Sequence, residues 1–179
     1  MPAFLRTGPS VEPISLAEAT AQLRLEETSE DDAVASLISA ARVHVERFYG
    51  LALISQAWTL RLDDWPRNPE IALPLWPVAA IEAVKVIGEE GAAFLIDEAH
   101  YVADLGARPA RLVRRPDRHW PRPGRLAGGI EIDFTAGFGP TADDVPQPIR
   151  HALKLFIGLL YEDRQALATM AEPRALAAL

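Results

Sequence analysis

The 179-residue sequence contains no cysteine, which excludes disulfides and thiolate metal sites and suits a reducing compartment. Histidine is scarce: His44, His100, His119 and His151 stand far apart. None has the His-Glu-x-x-His spacing that puts two ligands on one helix face, so no metal site is expected. His44 and Glu46, two apart on a helical pattern, diverge in direction, and His44 reads as a surface histidine. No Gly-x-Ser-x-Gly elbow occurs, and there is no thiol to serve as a nucleophile. Gly137-Phe138-Gly139 precedes a helical pattern, but the lysine and serine of a phosphate loop are missing and prolines replace N–H donors, which makes it a turn. The acid pairs Asp63-Asp64 and Asp143-Asp144 have the chemistry for a divalent ion or a catalytic pair, yet both sit where turns and caps need them. A small hydrolase built on them therefore ranks last among the functions considered; no enzyme activity and no cofactor are expected.

Also missing is an apolar run of the roughly 20 residues that a membrane span requires. The opening MPAFLRTGPS has no apolar signal-like core, and the expectation is a soluble, intracellular product with no membrane partner. There is no internal repeat and no low-complexity linker, and the length suits one domain.

What is present is strongly patterned. Residues 128–164 read as a strand, a glycine turn and a long helix around which the rest is arranged. Ile130, Ile132 and Phe134 alternate with Glu131 and Asp133, the period of a strand with one buried and one wet face. Gly137 and Gly139 permit positive φ and Pro140 withdraws a ladder donor. Asp144 is placed to cap the following helix, with Pro146 and Pro148 in its first turn. Ile149, Leu153, Phe156, Ile157 and Leu160 form one stripe and Leu155 and Leu159 a flank, so the helix should be covered on more than one side.

Two helices are expected near the N-terminus, each opened by a capping box, Ser15 with Glu18 and Ser29 with Asp32. Leu16, Ala19 and Leu23 give the first an apolar face. Val34, Leu37, Ile38, Ala41, Val45 and Phe48 give the second a continuous stripe, which Gly50 ends. Between residues 51 and 134 the period changes to that of an antiparallel sheet. Trp58, Leu60 and Leu62 alternate with Thr59 and Arg61, and Ile71 and Leu73 follow the Trp65-Pro66 turn. Val84, Val86 and the run Phe94 to Ile96 flank a hairpin turn at Gly88-Glu89-Glu90-Gly91. A second hairpin joins Tyr101-Val102 to Leu112-Val113. The fold class is α+β: a helical body of two N-terminal helices and one long C-terminal helix, with an inserted antiparallel β region at 51–134.

Charge is uneven. The chain carries −7 overall, yet residues 107–125 hold seven arginines, Arg108, Arg111, Arg114, Arg115, Arg118, Arg122 and Arg125, against Asp117 alone. An acidic chain disfavours general binding to nucleic acid or anionic membranes. The block is interleaved with prolines and cannot be a regular helix. The bland reading is a solvated loop whose arginines meet the chain's own acids. The sharper one is an interaction surface with Trp120 as an aromatic anchor and arginines for acidic protein or phosphate.

A series of short motifs runs through most of the chain: Ile14-Ser15-Leu16-Ala17-Glu18-Ala19 with Leu23-Arg24, Asp31-Asp32, Ala40-Ala41-Arg42, Gly50-Leu51-Ala52-Leu53 and Gln56-x-Trp58. Further on come Leu73-Pro74 with Pro77-Val78, Gly128-Gly129-Ile130 through Phe134-Thr135-Ala136-Gly137-Phe138-Gly139, Val145-Pro146 with Ile149-Arg150, and Tyr161-Glu162-x-Arg164. In order and spacing they resemble the head-tail connector (adaptor) proteins of tailed bacteriophages and gene transfer agents. The resemblance implies a single connector domain over 1–179, a virion structural protein that forms a homo-oligomeric ring, twelvefold, between the portal protein and a tail-side connector or stopper protein. Such a ring is a conduit for DNA passage and ejection, without turnover, in a phage or gene transfer agent particle assembled in the bacterial cytoplasm. Some family members engage the portal through their C-terminal segment, which adds Arg174, Leu176 and Leu179 to the candidate partner contacts. The arginine block matches no family motif. It motivates the runner-up, a nucleic-acid-binding packaging module. For a connector, the expectation is an acidic lumen that lets DNA pass, with the arginines turned to a protein partner.

Overall fold

The computed structural model describes residues 3–25 and 28–162. The chain divides into two compact units: a β unit, Met1–Gly8 with Ser55–Gly137, and a helical unit, Pro9–Ile54 with Phe138–Leu179. The architecture is α+β: one strand and then two helices precede the run of seven further strands, and one helix follows it.

The β unit holds two antiparallel sheets. The larger contains β1 (Ala3–Thr7), β2 (Gln56–Leu62), β4 (Val78–Ile87), β5 (Ala93–Leu95) and β8 (Ile130–Ala136), in the order β1-β2-β8-β4-β5. The smaller has β3 (Glu70–Ala72), β6 (Tyr101–Asp104) and β7 (Arg111–Arg114), in the order β3-β7-β6. Strand β8 is central, and the alternation of its apolar residues explains why. Ile130, Ile132 and Phe134 are fully buried, and Ile132 lies between Leu60 of β2 and Val84 of β4. Both hairpins form where turn chemistry placed them: the Gly88 N–H donates to the Ala92 carbonyl at 2.8 Å, and β6 pairs with β7 from Tyr101↔Arg114 to Asp104↔Arg111.

One expectation for β8 fails. Asp133, read as solvent-facing, is only 4% exposed. Its neighbours on the same face supply the reason, as described below. Strand β1 was not read from the sequence either; its five residues are too few, and too exposed on the folded chain, to show a period.

In the helical unit, α1 (Leu16–Leu23) opens with the expected capping box: the Glu18 N–H donates to Ser15 Oγ at 3.2 Å and the Ser15 N–H to Glu18 Oε2 at 3.1 Å. For α2 (Asp31–Tyr49) the box does not form. Ser29 sits in a 3-10 turn, Thr28–Glu30, and the helix starts after Glu30 with no side-chain cap. That turn displaces Ser29 from the N-cap position the box requires. Gly50, at φ 64°, closes α2 in the left-handed conformation that glycine adopts at least cost.

Asp144 is also reassigned. Its carboxylate accepts from the Thr141 N–H at 2.8 Å and from Thr141 Oγ1 at 2.7 Å, closing a 3-10 turn at Ala142–Asp144. A side chain on Gly139 would collide with that carboxylate, which gives the glycine its reason. Gly137 has φ 138° and is the position that uses glycine's freedom. Helix α3 (Gln147–Glu162) then begins after Pro146, whose carbonyl accepts from the Ile149 and Arg150 N–H groups.

Ile149, Leu153, Phe156, Ile157 and Leu160 of α3 are buried, as are Val34, Ile38, Ala41 and Val45 of α2. The flanks differ from expectation: Phe48 is 47% exposed and Leu155 43%. His44 is no free surface histidine, since its ring lies 5.1 Å from Phe156 and 6.1 Å from Phe48. Beside the apolar seams three charged residues of α2 and α3 are buried, Arg42, Glu46 and Arg150.

Candidate functional site

The arginine-rich segment 107–125 is a built surface. Its first part is strand β7, where Arg111 bridges Asp104 and Glu70, each at 3.1 Å. Arg108 places its guanidinium 4.6 Å over the Trp76 ring, a cation–π contact. After β7 the chain is held by backbone and aromatic contacts. The Arg115 N–H donates to the His100 carbonyl at 2.9 Å and the Arg118 N–H to the Arg115 carbonyl at 3.1 Å. Arg114 turns back to the carbonyls of Arg115 and Arg118. Trp120 stacks on Trp65 at 4.2 Å and 6°, and Trp65 Nε1 donates to the Pro121 carbonyl at 2.7 Å.

The far end is latched to the larger sheet. The Gly124 N–H donates to the Ile87 carbonyl at 3.0 Å, and a Cβ on Gly124 would strike the Gly88-Glu89 backbone. The Gly128 N–H donates to Asp63 Oδ1 at 2.7 Å. Asp63 is thereby a loop anchor, the role turn chemistry suggested.

This scaffold sorts the arginines. Arg108, Arg111 and Arg114 are engaged within the β unit. Arg118 reaches only Asp117, 3.7 Å away at an exposed site, a pair of little energetic weight. Arg115, Arg122 and Arg125 are exposed and, among the described residues, have no hydrogen bond or ion pair through their side chains. Leu126 follows, 99% exposed. The structure therefore divides one compositional block into arginines that fasten the loop and arginines that face outward. Trp120 packs on its own chain, with its Nε1 buried and unpartnered. Arg174, Leu176 and Leu179 lie outside the described residues.

Three charged clusters escaped sequence reasoning. In the helical unit, Arg42 meets Glu12 at 2.7 Å and Glu46 at 2.9 Å, and Glu46 accepts from the Leu53 N–H at 2.9 Å. Arg150 of α3 donates to the Pro13 carbonyl at 3.1 Å and to both Glu18 oxygens at 2.8 and 3.0 Å. Burial would raise the Glu18 carboxyl, but the Ser15 bonds and the charges of Arg150 and Lys154 outweigh it and hold it below the usual range. In the β unit, Asp133 accepts from Thr59 and Lys85, each at 2.5 Å, with Arg6 at 3.4 Å. Burial again pushes upward, and these bonds and charges win, leaving a lowered carboxyl. The one local signal was Arg42 and Glu46 at i,i+4 beside an apolar stripe; the other partners are distant in sequence.

Among the described residues no group of three or more acidic or histidine side chains stands together as a metal cage, and no helix is long and apolar enough to cross a membrane.

The fold class is that of an α+β protein in which all strands but β1 lie between the second and third helices. Solved structures share it over nearly the whole length. A chain in the virion of a native gene transfer agent (GTA) particle superposes with a TM-score of 0.82 at 27% identity, covering 99% of this chain and 92% of that one. A chain in the neck of an empty GTA particle, computed with C6 symmetry, gives 0.83 at 28% over 99% and 92%. One in the neck of a native GTA particle, computed with C12 symmetry, gives 0.73 at 27% over 98% and 93%. No protein-family model matches the sequence, and no curated protein matches it.

Proposed function

We propose that this chain is a structural component of the neck of a GTA or phage-like particle: a head-tail connector subunit that assembles as a ring and conducts DNA without turnover. The observation that carries the proposal is the likeness to a GTA neck chain over 99% of this chain and 92% of the other at 28% identity. The C6 and C12 symmetry of those necks supports a ring, with a dodecamer the favoured count. Its partners are then the portal protein on one side and a tail-side connector or stopper on the other.

Within that reading Arg115, Arg122 and Arg125 belong at a protein interface, together with the neighbouring Arg118. All four are held on a latched loop; Arg115, Arg122 and Arg125 have no carboxylate partner among the described residues and Arg118 has only the exposed Asp117, and they suit the bidentate recognition that guanidinium offers to acidic side chains. Lining the DNA path with them would add a salt-dependent holding term for every phosphate met, so the acids belong in the lumen. The same free guanidiniums favour the second reading, a DNA-binding packaging module.

Negative-stain imaging of the protein mixed with its portal tests the first reading. Rings seated on the portal are expected. Free monomer alone under conditions that fold both proteins would refute it.

A further inference from the structure

Strand β1 is an arm laid on the edge of the larger sheet. None of its five residues is fully buried, Phe4 and Leu5 are 49% exposed each, and among the described strands it pairs only with β2. Backbone pairing and two side-chain contacts hold it, rather than apolar burial. Phe4 lies beneath the Arg61 guanidinium at 5.4 Å. Arg6, the extra residue of the bulge between Leu5 and Thr7, reaches Asp133 at 3.4 Å and Glu82 at 3.8 Å. The β2 edge, Arg61, Glu82 and Asp133 all belong to the β unit.

The chain beyond the arm belongs to the other unit, and the boundary falls between Gly8 and Pro9. Its next fixed points are both in the helical unit: Glu12 on Arg42 at 2.7 Å, and the Pro13 carbonyl on Arg150 at 3.1 Å. Between these anchors Gly8, Ser10 and Val11 are exposed. Among the described residues no hydrogen bond or ion pair ties Gly8, Pro9, Ser10 or Val11 to the rest of the chain. The connection is fastened at both ends and free in its middle, and Gly8 accepts backbone angles that other residues avoid. An identical edge on a second copy would offer the arm every contact it makes on its own, so exchange costs only a re-aimed hinge. Within a ring the neighbouring edge is held at high effective concentration, and each exchanged arm adds a second link between subunits.

We infer that in the assembled ring the β1 arm of each copy lies on the β2 edge of its neighbour, with Arg6 on Asp133 and Glu82 of that neighbour and Phe4 beneath its Arg61. The occupant of the β2 edge is therefore a second copy of this chain. The contact rests on the ring reading above, and names one link that joins the subunits.

Thr7 and Ala57 face each other across the strand pair, and the chain has no cysteine of its own. Chains carrying Thr7→Cys alone and chains carrying Ala57→Cys alone are mixed in equal amounts, assembled on the portal, imaged and oxidised. No disulfide within one chain is then possible. A covalent dimer on a denaturing gel is expected from the mixed rings, and monomer only from rings of either variant by itself. Rings without that dimer overturn the exchange and leave the connector reading standing; no rings from the wild-type chain under the same conditions overturn both. A dimer from either variant alone, arm to arm or edge to edge, would also refute the exchange. The second measurement places both cysteines in one chain and oxidises it as free monomer, locking the arm on its own edge. The locked chain should keep a cooperative melting curve and lose ring yield about tenfold or more, with recovery on reduction. Wild-type ring yield from the locked chain, or a loss that reduction does not reverse, would overturn the exchange.

Discussion

Arginine plays opposite parts in the two units. In the helical unit Arg42 and Arg150 are buried and paired: Arg42 meets Glu12, 30 residues away, and Glu46 one turn along its own helix, while Arg150 meets Glu18 and the Pro13 carbonyl, both more than 130 residues away. In the β unit Arg115, Arg122 and Arg125 stand exposed on a loop fastened by other groups, a tryptophan stack and backbone bonds. The side chain is the same; what differs is whether partners lie within reach on the same chain. A buried guanidinium without partners would cost several kcal/mol, so burial and pairing arise together. An exposed one costs nothing to leave open and remains available to another molecule. Seven arginines in a row of nineteen residues drew attention to the β unit, whereas the single arginines of the helices carry more of the fold.

The largest effect expected from this contrast is at Arg150. Arg150→Ala would remove a buried guanidinium from the Pro13 carbonyl, left without that donor, and from the Glu18 carboxylate, left with only its Ser15 bonds and Lys154, at about 3–5 kcal/mol in chemical denaturation. A loss below about 1 kcal/mol would place Arg150 with the surface arginines instead. Next come the apolar neighbours of that hub: Leu153→Ala or Phe156→Ala should cost about 2–5 kcal/mol through the cavities they leave. Melting alongside the wild type would mean that α3 does not bury this seam.

Acid should separate the clusters further. Glu18, Asp133 and Asp144 all have carboxyls held below their ordinary values. A lowered folded value contributes stability that is fully present above the unfolded value, about 4, and is lost as pH falls through the folded one. Stability should therefore decline on acidification from about pH 5 toward pH 2, and Asp133→Asn should flatten that decline while lowering neutral-pH stability by about 2 kcal/mol. An unchanged pH profile for the variant would put the decline elsewhere.

The smallest effect on stability is expected at the outward arginines. Changing Arg115, Arg122 and Arg125 to Ser should move stability by less than about 0.5 kcal/mol and yet weaken assembly onto the neck partner. If the variant assembles normally and instead loses a strong, salt-sensitive affinity for duplex DNA, the packaging-module reading replaces the partner-facing one.

Much of the fold was written locally. The Ser15 and Glu18 box, the Gly50 terminus, the Gly88–Gly91 turn and the stripe Ile149 to Leu160 depend on residues within one or two turns of one another. Periodicity and capping therefore report them directly. Where local chemistry offers two equivalent uses, the fold decides: Ser29 and Asp144 are both good cap residues, yet the 3-10 turns place Ser29 one residue before the N-cap of α2 and turn Asp144 back to the Thr141 N–H. Asp133 has the alternation of a wet residue but gathers Thr59, Lys85 and Arg6 from three other strands. Strand pairing set that environment, because the register of β8 with β2 and β4 brings together residues 48 to 74 positions apart. The division of the arginine block had the same origin. By itself the sequence determined where chain direction and apolar faces change, since those follow from neighbours along the backbone. Which charges were buried, which loops were latched and which arginines were left facing outward was decided by tertiary structure, because a charge is satisfied only by what the fold carries to within about 3 Å of it.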